Sequence, residues 1–229
     1  NTRAAAEEMG LPVFLVQHHY AHILSCMAEN EWTTEKRVIG VSFDGTGYGT
    51  DGTIWGGEIL LADYDSFTRW GCIEPFAQTG GDASAKEGWR IAVSLLGKIY
   101  GKENALLIIE TLGLCEPKLA KLQFTMEERG INTVQSTSAG RLFDAVSAIL
   151  DIRKSSTFEG EASTSLQFAA EKWLDAQKKK IAGSEDFAES GIITDYGELK
   201  SISDVAQKIV VEKNNSINRN IKADLYYLP

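Results

Sequence analysis

All three histidines of this 229-residue chain fall in one short run, Gln17-His18-His19-Tyr20-Ala21-His22. On a helix, His18 and His22 share one face at i, i+4, with Cβ atoms roughly 6 Å apart. Two imidazoles at that spacing can bind one metal ion. His19 is expected to point about 100° away from that face. The zinc-protease pattern requires a glutamate directly after its first histidine, and here that position is His19. Two histidines leave a site short of ligands. Cys26 lies one further turn along the same face, and an oxygen ligand from elsewhere is the other candidate. A His/His/carboxylate set suits iron and zinc alike.

A carboxylate of that kind stands in Phe43-Asp44-Gly45-Thr46-Gly47-Tyr48-Gly49-Thr50-Asp51-Gly52. Gly47, Gly49 and Gly52 satisfy G-x-G-x-x-G, but a dinucleotide fingerprint must open a helix. Here Thr53-Ile54-Trp55 begins a β-rich run. A kinase glycine loop does lie between strands, yet the V-A-I-K, H-R-D and D-F-G motifs that accompany it do not occur in the chain. A strand that ends in Asp-Gly-Thr-Gly and turns straight into another strand resembles the phosphate loop of actin-like ATPase domains. Glycines there expose backbone N–H groups to phosphate oxygens, and the Asp carboxylate reaches a cation. On this reading Asp44 joins His18 and His22 on a metal, while Gly45, Thr46 and Gly47 face a phosphate. The plain alternative is a glycine-rich hairpin.

Three later stretches carry further candidates. In Gly80-Gly81-Asp82-Ala83-Ser84-Ala85-Lys86-Glu87, Asp82 reads as a helix cap. Lys86 and Arg90, one turn apart, either neutralise a phosphate or decorate a surface. Asp144 interrupts an apolar helix and must therefore be paired, with a ribose hydroxyl or with Arg141. Gly160 allows close approach to the chain, and Glu161 can accept hydrogen bonds from a nucleoside.

The elements that must position these residues follow from hydrophobic periodicity. Helices are expected over Thr2–Met9, ended by Gly10, and over His18–Asn30, with a short β-rich run at Val13–Val16 between them. Strands over Val38–Phe43, Thr53–Ala62 and Ser66–Ile73 form a meander with glycine corners. Helices then cover Ala83–Tyr100, Ala105–Leu112, Pro117–Glu128, Gly140–Leu150 and Glu161–Lys180. A polar loop over Ala182–Gly191 and a last helix over Ser203–Lys213 complete the pattern. The order predicts an α/β chain with a strand-rich part at 1–80, holding the metal and phosphate loop, and a mainly helical part at 81–229.

Composition narrows the function. With 43% hydrophobic and 24% charged residues the chain can bury a sizeable core. A net charge of -9 disfavours gripping nucleic acid through a general phosphate field. No apolar run is long enough to span a bilayer. The three cysteines are scattered with no C-x-x-C pair, so a reducing cytoplasm is the simplest location.

Taken in order, V-Q-H-H-Y-A-H, F-D-G-T-G-Y-G-T-D-G-T-I-W-G-G-E, G-G-D-A-S-A-K-E-G-W-R, S-A-G-R-L-F-D-A-V and F-E-G-E-A-S resemble the C-terminal domain of the HypF carbamoyltransferases of [NiFe]-hydrogenase maturation. That domain is related to the tRNA threonylcarbamoyl transferase TsaD and the antibiotic carbamoyltransferase TobZ. The resemblance runs from the first residues to about residue 170. It implies an actin-like, ribonuclease-H-like fold with a mixed sheet and flanking helices. It also implies carbamoyl phosphate and ATP as substrates, magnesium with the nucleotide, carbamoyl-adenylate as intermediate, and the C-terminal cysteine of a HypE-like protein as acceptor. His18, His22 and Asp44 correspond to the metal ligands, iron or zinc. Gly45, Thr46, Gly47, Gly140, Asp144, Gly160 and Glu161 correspond to regions lining the nucleotide.

Two departures stand out. Glu87-Gly88-Trp89-Arg90 replaces the usual E-P-W-R. The family's acylphosphatase, zinc-finger and YrdC-like domains, and a later S-G-G-V-F-x-N segment with another acidic ligand nearby, do not occur in these residues. The chain is therefore expected to be a fragment unable to make the adenylate alone. A TsaD-like transferase and a non-catalytic nucleotide-binding piece are the alternatives.

Overall fold

A computed structural model of the chain describes residues 2–33 and 36–181. The expected segments 182–191 and 203–213 lie outside them. Helix α1 (Thr2–Glu8) ends at Gly10, whose φ of 67° is left-handed and suits a residue without Cβ. Helix α2 (His18–Glu29) follows. Its buried residues His19, Ile23 and Met27 recur every four positions, with Tyr20 beside them, giving the stripe of an amphipathic helix.

Residues 11–17 between these helices form no strand, contrary to the expectation for Val13–Val16. Among the described residues this stretch finds no ladder partner, and Phe14 and Leu15 are exposed. A β-rich composition without a neighbouring edge does not make a strand.

Strands β1 (Val38–Tyr48), β2 (Ile54–Ala62) and β3 (Phe67–Cys72) form the expected antiparallel meander. β1 is longer than expected, because Asp44–Tyr48 stays in the strand. The chain reverses only at residues 49–53, where Gly49 N–H donates to the Thr53 carbonyl and Gly52 takes φ 79°. Register slips between Phe43↔Gly57 and Gly47↔Trp55. That bulge falls at Asp44, and bulges re-aim side chains.

Two short strands escaped the periodicity, β4 (Phe76–Thr79) and β5 (Thr133–Ser136). Four residues are too few to show alternation. β5 pairs antiparallel with β4 and parallel with β2 through Ile54↔Ser136, giving a mixed sheet in the order β1-β2-β5-β4.

The single helix expected over Ala83–Tyr100 is divided. Gly81–Ala85 is a 3-10 turn, and α3 runs from Gly88 to Tyr100. Between them the Lys86 carbonyl accepts from Ser156 N–H, and Trp89 N–H donates to the Lys154 carbonyl. These bonds to a distant segment divert the chain. Asp82 lies inside the turn and caps nothing with its side chain. Helices α4 (Lys102–Leu112), α5 (Pro117–Glu128), α6 (Ala139–Ile149) and α7 (Glu161–Ile181) follow.

Apolar packing forms two clusters. One joins Tyr20, Ile23 and Met27 of α2 to Trp55, Leu60 and Ala62 of β2. The other joins Phe76 to α3, α4, α5 and α6 through residues such as Ile91, Leu96, Ile109, Phe124 and Ile149. The architecture is thus α/β, a mixed sheet with flanking helices. No described helix is long and apolar enough to cross a membrane.

Candidate metal centre

Helix α2 begins at the histidine run because Gln17 caps it, its side-chain Oε1 accepting from Tyr20 N–H at 2.9 Å. Such a cap satisfies one of the free N–H groups of the first turn. The first two turns therefore carry all three imidazoles, and they lie beside the bulged part of β1. Gly47 makes the approach possible. A Cβ there would stand 2.4 Å from His19 Cε1 and 2.8 Å from His18 Cδ2.

Asp44 meets the helix at this point. Its Oδ1 accepts from Gly45 N–H at 2.6 Å, which orients the carboxylate. Its Oδ2 lies 2.7 Å from His18 Nε2 and 3.7 Å from His22 Nε2, and those two nitrogens are 3.2 Å apart. A metal with ligand bonds of about 2.1 Å holds neighbouring donors roughly 3.0–3.4 Å apart. The triangle of 2.7, 3.2 and 3.7 Å is centred on that range, so the donor set and its spacing fit a transition metal.

His19, expected to point elsewhere, also reaches the cluster. Its Nε2 is 3.9 Å from Asp44 Oδ2, and His18, His19 and Asp44 offer ligand atoms within 4.8 Å of one another. Distance alone therefore allows two triads, and exposure separates them. The side chains of His18, His22 and Asp44 are 47%, 55% and 31% exposed, whereas His19 is 0% exposed. A cation arriving from solvent meets the first three. Cys26 stays outside the cluster, its Sγ accepting from Asn30 Nδ2 at 3.7 Å.

Electrostatics favour a bound cation. Partial burial pushes the Asp44 carboxyl up, but the His18 hydrogen bond, the Gly45 N–H and the adjacent imidazoles outweigh it and hold its pKa below the usual value. Burial, reinforced by His18, lowers the pKa of His19 against the pull of Asp44 and Glu58.

The glycine loop is joined to α6. Ser138 caps that helix by accepting from Arg141 N–H at 3.0 Å, and its hydroxyl faces the carbonyls of Asp44 and Gly45 at 3.1 and 2.8 Å. A Cβ on Gly140 would stand 2.8 Å from Gly45 Cα. Gly47 and Gly140 are thus filled by other parts of the chain, whereas the sequence pattern pointed to a ligand. Beside Gly45 lies Arg141, whose Nη2 would be 3.2 Å from a Cβ at that position. Thr46 Oγ1 donates to the Gly45 carbonyl at 2.5 Å and remains exposed.

The other sequence candidates are dispersed. Lys86 is exposed, next to Ala85, whose carbonyl accepts from Arg141. Asp144 is buried and paired with Arg141 at 2.8 Å, and burial pushes its carboxyl up to about 6 despite the guanidinium. Gly160, at φ 77°, and Glu161 open α7. Glu161 Oε2 accepts from Thr157 N–H and Oγ1 at 2.6 and 2.9 Å, and Oε1 faces Arg153 at 3.3 Å. The Thr157 N–H, followed by the other donors, lowers the pKa of Glu161.

One polar assembly had no signal in the sequence. Glu58 is fully buried beside Arg69 Nε at 2.6 Å and the Thr137 hydroxyl, and Arg69 also reaches Asp51 at 2.9 Å and covers the Trp55 ring at 4.2 Å. It fastens β2 and β3 to the segment entering α6.

Comparison with known proteins identifies the family of the chain. Residues 40–225 match the family model described as "Carbamoyltransferase, Kae1-like Domain, second subdomain", and residues 1–29 match "HypF Kae1-like domain". The chain belongs to the HypF carbamoyltransferase family. The carbamoyltransferase HypF of Rhodobacter capsulatus is 39% identical over 176 residues, covering 73% of this chain and 22% of the relative. A probable carbamoyltransferase HypF of Methanocaldococcus jannaschii is 38% identical over 168 residues, with the same coverages. The chain therefore spans about a fifth of the length of these relatives. The crystal structure of T. kodakarensis HypF superposes with a TM-score of 0.70 at 30% identity, covering 94% of this chain and 27% of that one. A full-length HypF in the phosphate- and nucleotide-bound form gives 0.62 at 38% identity, covering 71% and 21%.

Proposed function

We propose that this chain is the metal-bearing part of a carbamoyl-transfer domain, in which His18, His22 and Asp44 hold iron or zinc. The observation that carries this reading is the meeting of two half-exposed imidazoles and a carboxylate with donor separations of 2.7–3.7 Å. When bound, the metal supplies Lewis-acid polarisation of a carbonyl or phosphoryl oxygen. The residues of the chain prepare for it. Gly45 N–H orients Asp44, and the i, i+4 spacing aligns His18 with His22. Ser138 fixes the bulge at Asp44 and Gly45 against α6.

The substrates proposed with this reading are carbamoyl phosphate and ATP with magnesium, which with one water give carbamoyl-adenylate, phosphate and pyrophosphate; a HypE-like protein is the acceptor. In the transfer, the acceptor thiol loses its proton and its sulfur attacks the carbamoyl carbon. An S–C bond forms, and the C–O bond to AMP breaks. Gly45, Thr46 and Lys86 lie on the side of the nucleotide phosphates in this proposal, whereas Gly47 serves the approach of α2 to β1. Asp144 acts through Arg141 and Glu161 through the start of α7, because both carboxylates already have protein partners.

The test uses the full-length enzyme carrying His18→Ala or Asp44→Ala. Both variants should lose bound metal by elemental analysis, and carbamoylation of the acceptor should fall by at least tenfold. Undiminished carbamoylation by both would sink the proposal.

A further inference from the structure

His19 is the member of the cluster that the metal reading leaves without a task. Its side chain has no exposure, yet its Nε2 has no hydrogen-bond partner among the described residues and lies 3.9 Å from Asp44 Oδ2. Its Nδ1 lies 3.2 Å from Gln17 Nε2. Which ring nitrogen carries the proton depends on which way the Gln17 amide faces.

Two backbone groups settle that orientation. Tyr20 N–H can only donate, so the Gln17 atom 2.9 Å away is the oxygen. The Tyr48 carbonyl can only accept, so the Gln17 atom 3.0 Å from it is the NH2 group. The two agree. An amide NH2 has two hydrogens and no lone pair to offer. One hydrogen goes to Tyr48, and the other points at His19 Nδ1. That nitrogen must accept, so the single proton of the neutral ring sits on Nε2, the atom facing Asp44.

We infer that His19 is not a metal ligand but a positioning residue, locked by Gln17 as the Nε2–H tautomer and aimed at the Asp44 carboxylate from beneath. The inference rests on the metal reading for its purpose, though not for the tautomer itself. Asp44 Oδ2 is then approached from the solvent side by His18 and His22 and from the buried side by an N–H. Such an N–H favours the anionic carboxylate and keeps it turned toward the cation. Supporting partners of this kind are typically worth about 10–100-fold in metal affinity. Gln17 therefore has two tasks, capping α2 and setting the proton of its second residue.

The experiment is long-range proton–nitrogen NMR on the 229-residue chain, without metal and with added zinc, together with zinc titration calorimetry. Without metal, His19 should show a protonated Nε2 and an unprotonated Nδ1; the reverse pattern overturns the inference whether or not metal binds. With zinc, His18 and His22 should change while His19 keeps its Nε2 proton; loss of that proton makes it a ligand and overturns the inference. His19→Phe keeps a ring of similar size but no N–H, and should bind zinc roughly 10–100-fold more weakly. His19→Gln places an amide N–H near the Nε2 position and should recover most of that loss. Equal zinc affinity in the wild type and His19→Phe refutes the positioning role. If His19→Phe does not fold, His19→Gln and the tautomer measurement still decide the matter. Failure of the wild type to bind zinc counts against the metal reading, and the metal-free tautomer then judges His19 separately.

Discussion

Gly47→Ala tests whether the approach of α2 to β1 is as tight as the structure shows. Gly47 does not have a positive φ, so an alanine can adopt its backbone conformation. On backbone entropy alone the change should stabilise the chain by about 0.4–1 kcal/mol. Packing predicts the opposite sign. The added Cβ meets His19 Cε1 at 2.4 Å and His18 Cδ2 at 2.8 Å, about 1 Å inside ordinary carbon–carbon contact. His19 cannot yield easily, since its ring is buried and bonded to Gln17. The strand cannot retreat, because Gly47 is paired with Trp55. Overpacking of this type costs about 1–3 kcal/mol, which for a chain of this size lowers Tm by roughly 3–10 °C. The same displacement separates His18 from Asp44, so zinc affinity should fall together with Tm. Gly45→Ala is the control, because its Cβ meets only Arg141 Nη2, at 3.2 Å. Thermal melts by circular dichroism and zinc calorimetry on both variants provide the measurement. A Gly47→Ala chain as stable as the wild type, with unchanged zinc affinity, would refute the packing argument.

Two further outcomes follow from buried charge. Burial raises the Asp144 carboxyl from its usual range to about 6. A group raised in the folded state contributes stability that is present below its unfolded pKa and lost as pH climbs through the folded one. The stability of the wild type relative to Asp144→Asn should therefore fall between pH 4 and pH 7, by on the order of 2–3 kcal/mol; a flat or rising difference in denaturation experiments contradicts this. Arg69→Ala leaves the Glu58 carboxyl fully buried, with Thr137 and two backbone N–H groups as its remaining hydrogen-bond partners among the described residues. Removing one member of such a pair costs about 3 kcal/mol, and a loss below 1 kcal/mol in urea denaturation at pH 7 would refute this.

Much of the architecture was legible because it is local. The four-residue stripe of α2, the Pro117–Glu128 helix and the three-strand meander each repeat a period long enough to read. β4 and β5 do not, and they form because β5 finds an edge on β2 and offers its other edge to β4. The Ala83–Tyr100 helix was divided for a similar reason, since Ser156 and Lys154 hydrogen-bond to the chain where it would otherwise have continued.

The site divides along the same line. The pairing of His18 with His22 is a property of helical spacing, so the residue order alone determined it. The family motifs around Asp44 are likewise written in the sequence. Only the tertiary structure brings Asp44 to within 2.7 Å of His18, across 26 positions of chain, through a bulge and a glycine that no local rule connects. Only the tertiary structure buries His19, pairs Asp144 and Glu161 with protein groups, and fills the space above Gly47 and Gly140 with the chain itself. Spacing decides which side chains share a face, and the packing of separate elements decides what that face meets.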